Sequence, residues 1–412
     1  MAQLLPRLRH DLDFFPSPSP EHPGLFLRDP FRYSDAMLVV PPLLVECLRC
    51  FDGRQTDLDL RSALVRLTGD LDTGQVADYF RQSLSQAGFL EDETFAKMRG
   101  EKRQAFAARA VREPAHAGTA YPADPAALRQ TLAGWTEAGS AGGLAAGGSS
   151  RDGHLAAIAA PHVSPAGGWQ SYRAAYGLLR PEHRDRTFVI LATSHYGAPQ
   201  SFGLTRKNFH TPLGEAVTDT ASVDWLAKRA ANSVEMEDFC HSFEHTIELQ
   251  LVFLQHALGA NVRIVPVLCG PFAHSILGGG KPEDDDKVKA FCDALGELQD
   301  REGDRLLWVL GVDMAHMGAR YADRFRARAG EGKMQEVRQR DAERIARINA
   351  ADAAGFWDLV QQNRDDLKWC GSSPFYAFLK SVPGLRGELL HYEQWNIDEQ
   401  SVVSFAGMAF GR

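Results

Sequence analysis

Four stretches of almost unbroken apolar sequence limit what this chain can become. LAAIAAPH (155–162), TFVILATSH (187–195), RIVPVLCG (263–270) and LLWVLGVDMAH (306–316) lack the apolar–polar alternation of a strand with one wet face, and they suit strands covered on both sides. Helical stretches separate them. The pattern predicts an α/β fold with a mainly parallel central sheet flanked by helices. In such sheets ligands gather beyond the carboxyl ends of the strands, and three of the four runs place a histidine there: His162, His195 and His316.

A chain of 412 residues, 44% apolar and 24% charged, has material for one large domain and a smaller one. A net charge of −8 argues against nucleic acid or an anionic membrane as the main partner, since both need a basic face. The opening MAQLLPRLRHDLDFFPSPSP holds no apolar core of signal-peptide length, and no later run approaches a membrane span, so a cytoplasmic protein is expected. Six cysteines spread this widely do not suggest a disulfide framework, and Cys47 and Cys50, without a second pair nearby, suit a packed helix better than a zinc knuckle.

The chain divides by composition into a tail (1–23), a helical unit (24–95), a charged linker helix (96–110) and the strand-rich domain (111–412). SAGGLAAGGSS (140–150) and GGGKPEDDDK (278–287) are loops, too Gly-rich or too acidic to pack.

Any one histidine after a strand is ordinarily a satisfied structural residue, but parallel strands bring their ends together, and KWCGSSPF adds a soft donor at Cys370. Imidazoles with a thiolate suit Fe(II), Cu(I) or Zn(II); Mg or Ca would call for oxygen ligands. Trp169, Tyr172 and Tyr176 follow His162 at near-helical spacing and are expected to pack, whereas Tyr196 is placed to line a mouth. His154, His183, His210, His256 and His274 lie away from strand ends and are read as structural or solvated.

VREPAHAGTAYPADPAALRQTLAGW, APHVSPAGGWQSYRAAY, TSHYG, EHTIELQLVFLQ, VDMAHMG and WCGSSPF, in this order, resemble the Memo family, also called AmmeMemoRadiSam system protein B. That family's fold is similar to LigB-type extradiol dioxygenases. The resemblance implies a single metal, iron(II) or copper with zinc as a further choice, at His162, His195 and Cys370, with His316 moving protons and Asp313 orienting it. His245 and Glu248 would reach the pocket to support ligands or touch substrate, or would merely brace their helix. Val163, Ser164 and Pro165 depart from the family's usual Ala-Gly-Tyr, which changes the loop after His162. A thiolate in place of a carboxylate alters the metal's electronics, so ring cleavage is not inherited with the fold. The function implied is a dioxygenase-like oxidoreductase on a small molecule or peptide, beside a radical-SAM partner; the other reading is a metal- or peptide-binding adaptor without turnover.

HSFEH (241–245) also spells the H-x-x-E-H of inverted zinc peptidases, which would need His241 and His245 one turn apart on a helix with Glu244 between them. The competing expectation is an amphipathic helix capped by Ser242 with Glu248 on the face of Glu244. Finally, VPPLLVECLRCFDGRQTDLDLRSALVRLTGDLDTGQVADYFRQSLSQAGFLED (40–92) resembles a PqqD-like winged-helix unit, which implies capture of a peptide along a strand edge; the other reading is a stabilising appendage. Arg49, Arg54, Arg61, Arg66 and Arg81 are interleaved with acids, so a DNA-binding wing is not expected.

Overall fold

The computed structural model describes residues 2–137 and 155–412; the Gly-rich stretch 140–150 and His154 lie outside the described residues. Two compact units emerge, Met1–Ala108 and Arg109–Arg412.

The smaller unit holds a three-stranded antiparallel sheet, β1 (Asp13–Pro16), β2 (Leu25–Arg28) and β3 (Met37–Val40), and the helices Asp57–Thr68, Gly74–Gln86 and Glu93–Ala107. The first helix starts at a capping box between Thr56 and Asp59 and stops at Gly69 in the left-handed conformation. Asp92 caps the third by accepting from the Phe95 N–H at 3.0 Å. Residues 2–23, set apart by composition as a tail, belong to this unit: Leu5 and Leu12 join its core, and Arg9 is buried in a fork against both oxygens of Asp29 at 2.9 Å. Their apolar side chains are scattered singly and in pairs among prolines and charges, so no periodic signal revealed them. The segment read as a linker is the body of the helix Glu93–Ala107, anchored by buried Phe95 and Phe106. Cys47 and Cys50 are buried in a 3-10 turn, as core residues.

In the larger unit the described strands are β4 (Val111–Arg112), β5 (Leu155–Ala160), β6 (Thr187–Thr193), β7 (Phe202–Leu204), β8 (Asn208–Thr211), β9 (Gly214–Thr218), β10 (Val234–Met236), β11 (Arg263–Cys269), β12 (Leu306–Gly311), β13 (His316–Gly318), β14 (Arg386–Asp398) and β15 (Ser401–Gly411). They form one mixed sheet in the order β13-β15-β5-β12-β6-β11-β9-β8-β4, with β14 paired to β15 and β7 to β11 and β10. The four apolar runs are its parallel centre, β5-β12-β6-β11, with Trp308 of β12 in register with Ala157 of β5 and Val189 of β6. Both faces of this centre are covered, which is why the runs do not alternate. The flank departs from parallel: the last residues form the β14–β15 hairpin, and β15 inserts antiparallel between β5 and β13. Among the described residues no helix is long and apolar enough to cross a membrane.

Candidate metal centre

Because β5, β12 and β6 are neighbours, the loops leaving their carboxyl ends are neighbours too, and these loops carry His162, Asp313 and His195. The helix Thr246–Leu258 is pinned over the same ends: Thr246 Oγ1 donates to the Thr193 carbonyl at 2.8 Å and Gln250 Nε2 to the Pro161 carbonyl at 2.8 Å. That fixes His245, the residue at the helix N-cap, beside the loops. The loop before the helix Ser372–Ser381 docks there as well, with Thr193 Oγ1 donating to the Cys370 carbonyl at 2.9 Å and the Gly371 N–H to the Asp313 carbonyl at 3.1 Å. Five chain segments therefore meet at one spot.

Ligand atoms of His162, His195 and His245 lie within 4.8 Å of one another. Each ring is turned by a contact at Nδ1. His162 Nδ1 lies 3.0 Å from the Gly311 carbonyl, which can only accept, so the proton sits on Nδ1 and Nε2 keeps its lone pair. Glu244 does the same for the other two rings. Its buried carboxylate accepts from His195 Nδ1 at 3.1 Å and His245 Nδ1 at 3.0 Å, and from the backbone N–H of His195 at 2.8 Å and of His245 at 2.9 Å. One acid thus aims two Nε2 atoms, an arrangement that fixes tautomer and orientation in metal-ligating histidines. The His195 and His245 rings stack with centroids 5.1 Å apart and 10° between planes. Side-chain exposure is 2% for His162 against 29% and 32% for His195 and His245, so the group is closed beneath and open above.

Cys370 Sγ lies 3.3 Å from His162 Nε2, and Asp313 Oδ2 lies 3.6 Å from the same atom. Asp313 Oδ1 also accepts from the backbone N–H of His162 at 2.8 Å and of Val163 at 3.2 Å, holding the loop after β5 in place. His316 opens β13; its Nδ1 is 2.9 Å from the Met314 carbonyl and 3.0 Å from the Lys368 carbonyl, which leaves its Nε2 as acceptor. Burial sets much of the electrostatics: it drives His162 well below the ordinary imidazole value, takes His316 down to about 4, and raises Asp313. Burial also raises the Cys370 thiol, against the pull of His195. Burial opposes charge on His195 and Glu244 as well, yet each holds the other charged: His195 lies well above its usual value and Glu244 well below.

Other residues singled out by sequence take different places around the group or away from it. Glu248 is fully buried and turned toward Arg112 and the Tyr121 hydroxyl, and it also accepts from the backbone N–H of Ala115 at 3.0 Å and of His116 at 2.9 Å. It fastens the segment 112–121 to the helix. Tyr196 packs on His195 and Phe243, with centroids at 6.2 and 5.0 Å, at the rim of the group. HSFEH is not helical throughout: Phe239–Ser242 is a 3-10 turn and the α-helix starts only at Thr246, so Ser242 is not its cap. His241 faces the Gly203 carbonyl at 3.1 Å, away from the three-histidine group, and the two histidines of the peptidase motif do not share a helix face. Glu244 was missed as the acid that orders the site because a helical reading placed it beside Glu248. Tyr172 and Tyr176 are buried in the helix Pro165–Tyr176 and stack on Phe253.

Residues 112–409 match the family model described as Memo-like protein. The chain belongs to the Memo-like protein family. This Memo-like protein is 25% identical over 388 residues to a MEMO1 family protein of Aquifex aeolicus, covering 93% of this chain and 95% of the relative. It is 26% identical over 313 residues to a MEMO1 family protein of Thermococcus kodakarensis and 27% identical over 314 residues to one of Methanopyrus kandleri. Each of these archaeal matches takes in 73% of the Memo-like chain but 99–100% of the relative.

Proposed function

We propose that this protein is a metal-dependent redox protein whose ion is held by His162, His195 and His245 with Cys370 beside them. The observation that carries the reading is Glu244, a single buried carboxylate that turns two imidazole Nε2 atoms toward a third whose Nδ1 is already engaged. Nitrogen and thiol donors fit iron(II) or copper, with zinc as the redox-silent competitor, and disfavour magnesium or calcium. When bound, such an ion supplies electron-transfer or Lewis-acid chemistry to a substrate oxygen.

The chain's own groups do the rest. The exposed side at His195 and His245 admits a small molecule or a peptide side chain, and Tyr196 borders it. Neutral His316 offers Nε2 as a proton acceptor for a substrate hydroxyl and can return that proton. Asp313 holds the His162 backbone and places negative charge next to His316. The test is elemental analysis of protein purified without oxygen, comparing wild type with His162→Ala, His245→Ala and Cys370→Ser. Near-stoichiometric iron or copper that is lost in the histidine variants and weakened in Cys370→Ser supports the reading. A wild type that binds no transition metal when supplied overturns it.

A second reading has its own observation. In the three-stranded N-terminal sheet β1 and β3 pair only with β2 among the described residues, and Phe14, Phe15 and Met37 on these outer strands are exposed. Each outer strand has backbone groups free to add a peptide strand, the capture mode expected of a PqqD-like unit in a peptide-modifying system with a radical-SAM partner. Peptide-induced amide shifts confined to β1 or β3 would support an adaptor role alongside the metal; their absence across a peptide library would remove it.

A further inference from the structure

Behind the loop that carries Cys370 lies a carboxylate that the reading above does not use. Asp341, in the helix Lys333–Asn349, is fully buried and accepts three hydrogen bonds from three other segments. Trp369 Nε1 donates at 2.7 Å, the Tyr392 hydroxyl of β14 at 2.7 Å and Ser404 Oγ of β15 at 2.6 Å. Two of these donors belong to the walls of the site. Trp369 immediately precedes Cys370, and its backbone N–H is held by Asp365 Oδ2 at 3.0 Å. Ser404 grips the opposite wall: its Oγ accepts from the Ala315 N–H at 2.8 Å, its carbonyl accepts from the Met314 N–H at 2.8 Å, and its own N–H donates to the Ala315 carbonyl at 2.9 Å. One carboxylate therefore ties the Cys370 loop to the loop of Asp313 and His316.

The chemistry of the three donors explains why an acid stands there. An indole N–H can only donate, and Ser404 Oγ, already accepting from Ala315, has its own proton to give away. A carboxylate offers acceptors in both directions and no competing donor. Burying it is costly, and an apolar side chain would fill the space at less cost, so a purely space-filling role does not account for it. We propose that Asp341 is a positioning residue that sets the Cys370 sulfur against His162 by fixing Trp369 relative to the Asp313–His316 loop. The consequence for metal binding rests on the function proposed above; the placement of the sulfur does not.

Two readouts on the full-length protein test this. Of the six cysteines five are buried and Cys370 alone is partly exposed, so a thiol reagent applied to the native metal-free protein reports on Cys370. Asp341→Asn and Trp369→Phe, which removes the indole donor, are expected to change its reaction rate several-fold while leaving far-ultraviolet dichroism and cooperative unfolding intact. Anaerobic titration with cobalt(II) is expected to give a thiolate charge-transfer band in wild type. In both variants that band should weaken and affinity should fall about tenfold, the lower end of what loss of a supporting hydrogen bond costs a metal site. If Asp341→Asn does not fold, Trp369→Phe decides on the same two readouts. Wild-type thiol rates in the folded variants overturn the proposal. A wild type that binds cobalt without a thiolate band removes Cys370 from the metal, and the thiol rates still judge Asp341.

Discussion

Replacing Glu244 by Gln keeps the shape of the side chain and removes the property on which the three-histidine group depends. The carboxylate accepts four hydrogen bonds, two from imidazole Nδ1 atoms and two from backbone N–H groups. With the amide oxygen in place of Oε1, the bonds from His195 Nδ1 and from His245 survive as neutral ones, and the amide NH2 confronts the His195 N–H. Three bonds each lose about 1 kcal/mol on going from charged to neutral, and one buried donor left unpaired costs about 1–3 kcal/mol, so roughly 4–6 kcal/mol of stability should be lost. Loss of ring orientation should weaken metal binding about 10–100-fold at pH 7. The pH dependence should change too. In wild type Glu244 raises His195, so a proton must leave before Nε2 can bind an ion, and apparent affinity climbs with pH until His195 is neutral. In Glu244→Gln burial lowers His195 with Cys370 left to oppose it, so the climb should flatten. Competition titrations with zinc or cobalt between pH 5.5 and 8, beside urea denaturation, read both effects. A variant with wild-type affinity and wild-type slope would refute the claim that Glu244 orients the rings.

Arg112→Met strands Glu248 in a buried position and removes the donors that hold the His241 and Glu244 carbonyls, so it should cost about 3–5 kcal/mol in urea denaturation and weaken metal binding along with it. His241, buried and lowered by that burial to about 4, should make the fold acid-sensitive. Between about pH 6.5 and 4 the unfolded chain takes up a proton that the folded one refuses, so stability falls as pH drops through this window, by on the order of 3 kcal/mol. His241→Gln should lose that component of the pH dependence; an unchanged slope would mean that His241 is not neutral in the fold.

The fold was legible because four apolar runs report burial on both faces, and a parallel centre follows from that alone. Their order in the sheet was not written locally: that β12 lies between β5 and β6, which makes Asp313 a neighbour of both His162 and His195, is a product of packing. Periodicity also blurred the start of the helix at Thr246. HSFEHTIELQL scans as helical from Ser242, and only the 3-10 turn at Phe239–Ser242 turns Glu244 toward the histidines and leaves Glu248 to Arg112. Asp341 gave no signal, because a single acid in a charged amphipathic helix looks like a solvated one.

The position of β15 has a consequence for how the protein comes into being. β15, made after every other strand described, lands between β13 and β5, and its Ser404 brackets the Met314–Ala315 backbone. Until it arrives, β5 lacks its antiparallel neighbour and the His316 wall has nothing to pair with. A chain that stops before Ser401 keeps the three histidines and Cys370 but lacks the strand that brackets Met314 and Ala315, so the wall beside Asp313 and His316 closes only when this segment docks.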